Sequence, residues 1–188
     1  FVKFAAPGDV VDVQVIVKKK SFQEGKILKF HKKSEKRIEP FCSHFTVCGG
    51  CKWQHLSYAD QLEFKQQQVI DNLERIGGIS GFEVMSIIGS SKTTAYRNKL
   101  DLTFSDKAWV TTFNKLEQSE SDKPKALGFH IPGRFDKVLD IDYCHLMPEF
   151  VNEIQRGIHA FCLENQISFF DLITQEGLMR NLLVRCNR

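Results

Sequence analysis

Three cysteines fall within ten residues of the stretch FCSHFTVCGGCKWQH, residues 41–55, as Cys42, Cys48 and Cys51 in the spacing C-x5-C-x2-C. Glycine tolerates positive φ, so Gly49 and Gly50 permit a tight path whose backbone amides turn toward a bound centre. Three thiolates in one loop need compensation, because a buried unpaired charge is costly, and a metal supplies it. Core cysteines are common singly but seldom cluster beside a Gly-Gly pair. No charged leader followed by an apolar run suggests export. Disulfides are therefore not expected, and a reducing, cytoplasmic setting is.

Zinc and iron–sulfur centres both favour four ligands. His44, His55 and the three remaining cysteines are available for the fourth position. Cys162 falls on the apolar face of an expected helix and Cys186 in a terminal strand, so both read as structural. Cys144 closes a strand in DYCHLMP just before a helix, a junction that suits a ligand, and it is taken as the fourth. Spacing alone does not separate zinc from iron–sulfur, and it matches neither common ferredoxin pattern.

Charge supplies the second signal. The net charge is only +3, yet residues 18–37 carry nine Lys or Arg against two Glu. A basic stripe that continues through a strand is a nucleic-acid footprint, set against the plainer reading of a solvated face. With 42% hydrophobic and 26% charged residues the composition is that of a soluble globular protein. No apolar run is long enough to span a bilayer, so no membrane partner is expected.

The elements that would position these residues follow from periodicity. VVDVQVIV, residues 10–17, alternates with Val11, Val13, Val15 and Val17 on one face, and a second strand is expected over Phe22–Phe30, bulged at Gly25. Two strands do not stand alone, so they read as the remnant of a small barrel. Ser57 caps a helix reaching Ile76, with Tyr58, Leu62, Val69, Leu73 and Ile76 on its apolar face, Phe64 off it, and Gly77-Gly78 ending it. From residue 84 to 143 the pattern is β. YRNKLDLTF points Leu100, Leu102 and Phe104 inward, WVTTF, ALGFHI and KVLDID are further strands, and the polar loop NKLEQSESDKP is expected to be mobile. A second helix over Pro148–Asn165 buries Val151, Ile154, Ile158 and Cys162, and LMRNLLVRC closes the chain as a strand. The expected class is α+β: an OB-like barrel remnant, then a mainly antiparallel sheet with two packing helices and a cysteine loop. Phe1 and the closing LLVRCNR both read as mid-strand, so a fragment of a longer protein is expected.

The segment FCSHFTVCGGCKWQHLSYADQLEFKQ resembles the iron–sulfur segment of the RNA uracil-5-methyltransferases that act on 23S ribosomal RNA. In that family a C-x5-C-x2-C cluster with a C-G-G-C-x-x-Q-H core precedes a helix rich in Lys and Gln. Cys48-Gly49-Gly50-Cys51 and Gln54-His55 match it. YRNKL, Tyr96 to Leu100, is similar to a family strand, and LGFHIPGRFDKVLDIDYCHLMPE resembles the segment carrying a distant fourth cysteine. The N-terminal basic strands resemble the end of a TRAM domain, a small OB-like RNA-binding barrel.

The resemblance implies that Cys42, Cys48, Cys51 and Cys144 bind a [4Fe-4S] cluster with a structural or RNA-positioning role. It implies domains at 1–40 (truncated TRAM) and 41–188 (iron–sulfur, RNA-binding). The family's S-adenosylmethionine-binding domain, with its nucleophilic cysteine and base, is C-terminal, and no strand, Gly-rich turn and helix of that kind occurs before Arg188. Neither Cys162 nor Cys186 matches the nucleophile, so no catalytic residue is assigned. The parent's chemistry would be addition of a thiolate to uracil C6, methylation of C5 and loss of the C5 proton, on an unstacked base. For the grip on ribosomal RNA, phosphate contacts are expected from Lys18, Lys19, Lys20, Lys29, Lys32, Lys33, Lys52, Arg97 and Lys99, and base stacking from Trp53 or Phe45, against the alternative that these aromatics pack locally. Two rivals are a zinc-stabilised RNA-binding module and a small electron-transfer protein.

Overall fold

The computed structural model describes residues 1–109 and 124–187 of the chain. The expected WVTTF strand beyond Trp109, and the polar loop up to Pro124, lie outside the described residues. The fold is α+β, with antiparallel sheets and two helices among those residues. The chain divides into two compact units, Phe1–Ser43 with Lys52–Ser91, and His44–Cys51 with Lys92–Arg188.

In the first unit β1 (Val10–Lys18) and β2 (Gln23–Lys32) form a two-stranded antiparallel sheet. The expected valine face holds for Val11, Val13 and Val15, opposite Phe30, Ile27 and Gly25, but the extra residue Ile16 shifts the phase, so Val17, opposite Glu24, falls on the other face. That face is not buried: Val15 is 51% exposed. The ladder shifts three times, with His31 and Leu28 as extra residues on β2 and Ile16 on β1. The irregularity expected at Gly25 thus places its extra residue on the partner strand. Gly25 answers a different need, close approach: a Cβ there would lie 2.3 Å from Val13 Cγ1, and its N–H donates to Phe1 O at 2.8 Å.

An ion pair anchors this unit. The Asp9 carboxylate accepts from Ala6 N–H (2.6 Å), Ser34 N–H (2.9 Å) and both Nε and Nη2 of Arg37 (2.7 and 2.6 Å), and Arg37 Nη2 also donates to Phe4 O. The Arg37 hydrogen bond, ahead of the backbone donors, holds the Asp9 carboxyl far below the ordinary carboxylate range against the opposing effect of burial. Helix α1 (Tyr58–Asp71) starts at Ser57, whose Oγ accepts from Asp60 N–H, and its last turn widens into a π-turn over Asn72–Ile76 before Gly77. The expected apolar face holds only at its start. Tyr58 and Leu62 are half-buried, whereas Val69, Leu73 and Ile76 are exposed, Ile76 by 82%. The half-buried Phe64 receives Lys36 Nζ over its ring at 4.7 Å.

In the second unit four antiparallel strands run in the order β5-β4-β3-β6: β3 (Lys99–Ser105), β4 (Ala126–Ile131), β5 (Arg134–Asp140) and β6 (Asn181–Arg185). Strand β3 begins three residues later than Tyr96, because residues 95–97 bond the 145–146 segment instead, Ala95 N–H to His145 O and Arg97 N–H to Leu146 O. Leu100, Leu102 and Phe104 point inward as expected and join Leu127, Met147, Val151, Cys162, Phe169 and Val184 in one core. Phe104 meets Phe169 edge-on at 4.8 Å. Helix α2 (Glu149–Glu164) covers this core with Val151 and Cys162, and Ile158 is half-buried. Ile154, expected inside, is 40% exposed. Asn152 and Gln155 are buried in its place, because the inner face of α2 also holds backbone polar groups that need partners.

Candidate metal and nucleic-acid sites

The cysteine turn is built by hydrogen bonds of the second unit. His44 O accepts from the N–H groups of Val47 and Cys48, which places Thr46 at φ +75°, a left-handed conformation unusual for a β-branched residue. Gly50 N–H points at Cys48 Sγ, 3.4 Å away, a donor of the kind that stabilises thiolate charge and bound sulfur centres. Gly49 lies so close to the β4–β5 turn that a Cβ would stand 3.2 Å from Pro132 Cγ. His44 Nε2 donates to Asp142 Oδ1 at 2.7 Å. That hydrogen bond, opposed by burial, holds the Asp142 carboxyl below its ordinary value.

Asp142 stands two residues before Cys144, so the His44 side chain ties the segment carrying Cys144 to the segment carrying Cys48 and Cys51. His44, a candidate ligand in the sequence, is engaged by a carboxylate. Cys144 is itself held from α2: its N–H donates to Asn152 Oδ1 at 2.7 Å, and its carbonyl accepts from Asn152 Nδ2 and Met147 N–H. Gln155 Nε2 donates to Ile141 O in the same connection. Asn152 and Gln155 are fully buried and were not singled out in the sequence. Their signal was polarity at the positions that share a helical face with Val151 and Cys162.

Cys42, Cys48, Cys51 and Cys144 are half-buried, and no disulfide joins the six cysteines. Among the described residues no three His, Cys, Asp or Glu side chains stand together as a metal-binding group. The residues fit a metal–sulfur centre in kind: soft thiolates, a glycine turn with an N–H aimed at sulfur, and a buried asparagine fixing the Cys144 backbone. Cys162 is core and Cys186 packs at its edge, as expected.

His55 is buried in the first unit, edge-on to Phe4 at 6.4 Å. Burial first, then the Arg37 charge, lowers its pKa, against a backbone hydrogen bond at Ala5. Phe45 is buried, so it offers no face to a base. Trp53 is half-buried with Lys65 Nζ 5.9 Å from its ring centroid. Lys18, Lys19, Lys20, Lys29, Lys32, Lys33 and Lys52 are all exposed, with Lys19 N–H closing the hairpin onto Phe22 O. Arg97 is half-buried, and Lys99 is exposed 4.0 Å from Asp101. Arg97 precedes β3, and Lys99 is its first residue.

No family model matches the chain. Over 98% of its length it is 49% identical to a protein of Bacteroides thetaiotaomicron named as an uncharacterized RNA methyltransferase, of which it covers 41%. A protein of the same description from Porphyromonas gingivalis is 50% identical over 98% of the chain, again covering 41% of that protein. One from Chlorobaculum tepidum is 37% identical over 96% of the chain and 38% of its own length. The chain is therefore homologous, over nearly its whole length, to proteins named RNA methyltransferases. It spans about two fifths of the length of these curated relatives. More particularly, its fold matches part of the Pyrococcus abyssi tRNA (uracil-54, C5)-methyltransferase, solved with S-adenosyl-L-homocysteine: the TM-score is 0.62 at 29% identity, over 98% of this chain and 37% of that one. These matches bear out the expected likeness to RNA methyltransferases. No helix among the described residues is long and apolar enough to cross a membrane.

Proposed function

We propose that this chain is the RNA-gripping and [4Fe-4S]-binding part of a cytoplasmic, S-adenosylmethionine-dependent methyltransferase acting on C5 of uridine in 23S ribosomal RNA. Residues 1–40 serve as a TRAM-type RNA-binding segment and residues 41–188 as the iron–sulfur part. The observation that carries this reading is the joint match, over almost the entire chain, to RNA methyltransferases and to a uracil-C5 methyltransferase structure. Cys42, Cys48, Cys51 and Cys144 hold the cluster. Its contribution is to fix the segments around it, with no redox step in methyl transfer. His44, Asp142 and Asn152 orient the loops that carry the thiolates, and the exposed lysines meet phosphates. The residues of this chain hold RNA, while the nucleophile, base and cofactor pocket belong to the part of the parent enzyme that these residues do not include.

Metal analysis and the visible spectrum of anaerobically prepared protein test the centre. Iron with sulfide and broad visible absorption are expected, and each of the variants Cys42→Ser, Cys48→Ser, Cys51→Ser and Cys144→Ser lowers the iron content while Cys162→Ser and Cys186→Ser do not. Stoichiometric zinc overturns the iron–sulfur assignment. Iron lost with Cys162→Ser and kept with Cys144→Ser overturns the choice of ligand.

A further inference from the structure

The bulges of β2 sort its lysines. Lys26, Lys29 and Lys32 are three residues apart, a spacing that in a regular strand sends successive side chains to opposite faces. The two extra residues, Leu28 and His31, each shift the phase by one. As a result Lys26 lies opposite Gln14, Lys29 opposite Asp12 and Lys32 opposite Val10, all on the face away from Val11, Val13 and Val15. Partners on β1 are two residues apart, so the lysines stand about 7 Å from one another, near the phosphate step of an extended nucleic-acid strand. All three are exposed. Two carboxylates share that face by register: Asp12, engaged by His31 Nε2 at 2.8 Å, and Glu24, beyond Lys26 at the hairpin end.

We infer that Lys26, Lys29 and Lys32 form a single-file track for consecutive phosphates of single-stranded RNA along β2. The inference rests on the RNA-binding reading above and adds Lys26, the shape of the contact and the form of RNA. A single file of charges on one ribbon face meets one backbone. Duplex RNA is instead gripped across a groove from both of its backbones. The opposite face of the ribbon carries Val11, Val13, Val15, Ile27 and Phe30 along the length of the file, with the cations of Lys33 and Arg37 over the Phe30 ring at one end.

The test is the salt dependence of affinity for a labelled oligouridylate and for an RNA duplex of equal length, using the full chain. Three phosphate contacts at about 0.7 each give the Lys26→Ala/Lys29→Ala/Lys32→Ala protein a log–log salt slope shallower by about 2 on the single strand, with a smaller change on the duplex. The second variant, Lys29→Ala/Val15→Lys, keeps the net charge and moves one lysine to the other face, where Val15 is already exposed. It is expected to bind like Lys29→Ala alone. Recovery of the wild-type slope in that variant means diffuse attraction to net charge and overturns the track. So does an equal slope loss on duplex, or an unchanged slope in the triple variant while wild type binds RNA steeply. Wild type that binds neither RNA overturns the RNA-binding reading itself.

Discussion

The two units are stabilised by different means. The second closes a sheet and helix over a continuous apolar core in which Leu102, Phe104, Leu127 and Val151 are out of contact with water. The first has a ribbon in which Val13 and Val15 remain exposed and a helix without a buried residue, and among its enclosed groups is a charge, the Asp9 carboxylate gripped by four donors. One unit is held by area removed from water, the other by a polar knot that closes residues 4–9 onto residues 34–37. Apolar burial is indifferent to protonation, whereas the polar knot depends on the Asp9 charge.

The sharpest way to break the symmetry is truncation. Leu102→Ala removes core contacts and leaves a cavity, and is expected to cost about 4 kcal/mol, whereas Val15→Ala on the exposed ribbon costs under about 0.5 kcal/mol. Denaturant unfolding of both variants measures this, and a comparable loss from Val15→Ala shows that the valine face is covered in solution.

Asp9→Asn comes next. It leaves Arg37 enclosed without its counter-charge and is expected to destabilise the first unit by about 3 kcal/mol. The folded Asp9 carboxyl is depressed below its ordinary value of 3.8. Its stabilising effect is complete above that unfolded value and fades as pH falls toward the lower folded one. The gap between wild type and Asp9→Asn should therefore narrow in acid, read as hydrogen exchange at β2 amides, while β3 amides keep their protection. A gap independent of pH makes Asp9 a matter of shape and not of charge.

In the second unit, Asn152→Ala strips the Cys144 backbone of a buried partner at about 2 kcal/mol. Iron should then pass faster to a chelator at temperatures where far-ultraviolet dichroism shows the fold intact. His44→Gln, which keeps a donor for Asp142, should retain iron better than His44→Leu. Equal retention by both makes the His44–Asp142 bond irrelevant to the centre. A smaller effect than these belongs to the first unit: Ser57→Ala removes a helix cap worth about 1 kcal/mol, read in denaturant unfolding.

The same contrast governs what was legible in the sequence. Alternation located β3 and β4 because Leu100, Leu102 and Phe104 answer to a real core. It located β1 as well, yet told nothing of burial, since the valine pattern is present and its cover is not. Hydropathy put Ile154 inside α2 where Asn152 and Gln155 belong. A backbone carbonyl or N–H that must be satisfied outweighs a methyl group, and the need lies in the segment at Ile141–Cys144, far from the helix in sequence. The glycine turn at Cys48–Cys51 was legible because it is local, set by residues next to one another in the chain. The His44–Asp142 bond and the bulges at Leu28 and His31 were not, because each depends on a partner strand or loop whose register no local pattern reveals.

The cysteine turn, His44–Cys51, folds with the second unit although the chain passes through it between two segments of the first. Asp142 and Cys144 follow about ninety residues later. At a ribosomal pace of about 5–20 residues per second, the turn emerges roughly 5–20 s before the segment that fastens it. Through that interval Cys48 and Cys51 are nascent thiols with neither the clasp of His44 nor the neighbourhood of Cys144. The order of synthesis thus opens a window in which these thiols meet oxidant or metal before their folded neighbours are present, and slowing elongation between Cys51 and Cys144 lengthens it.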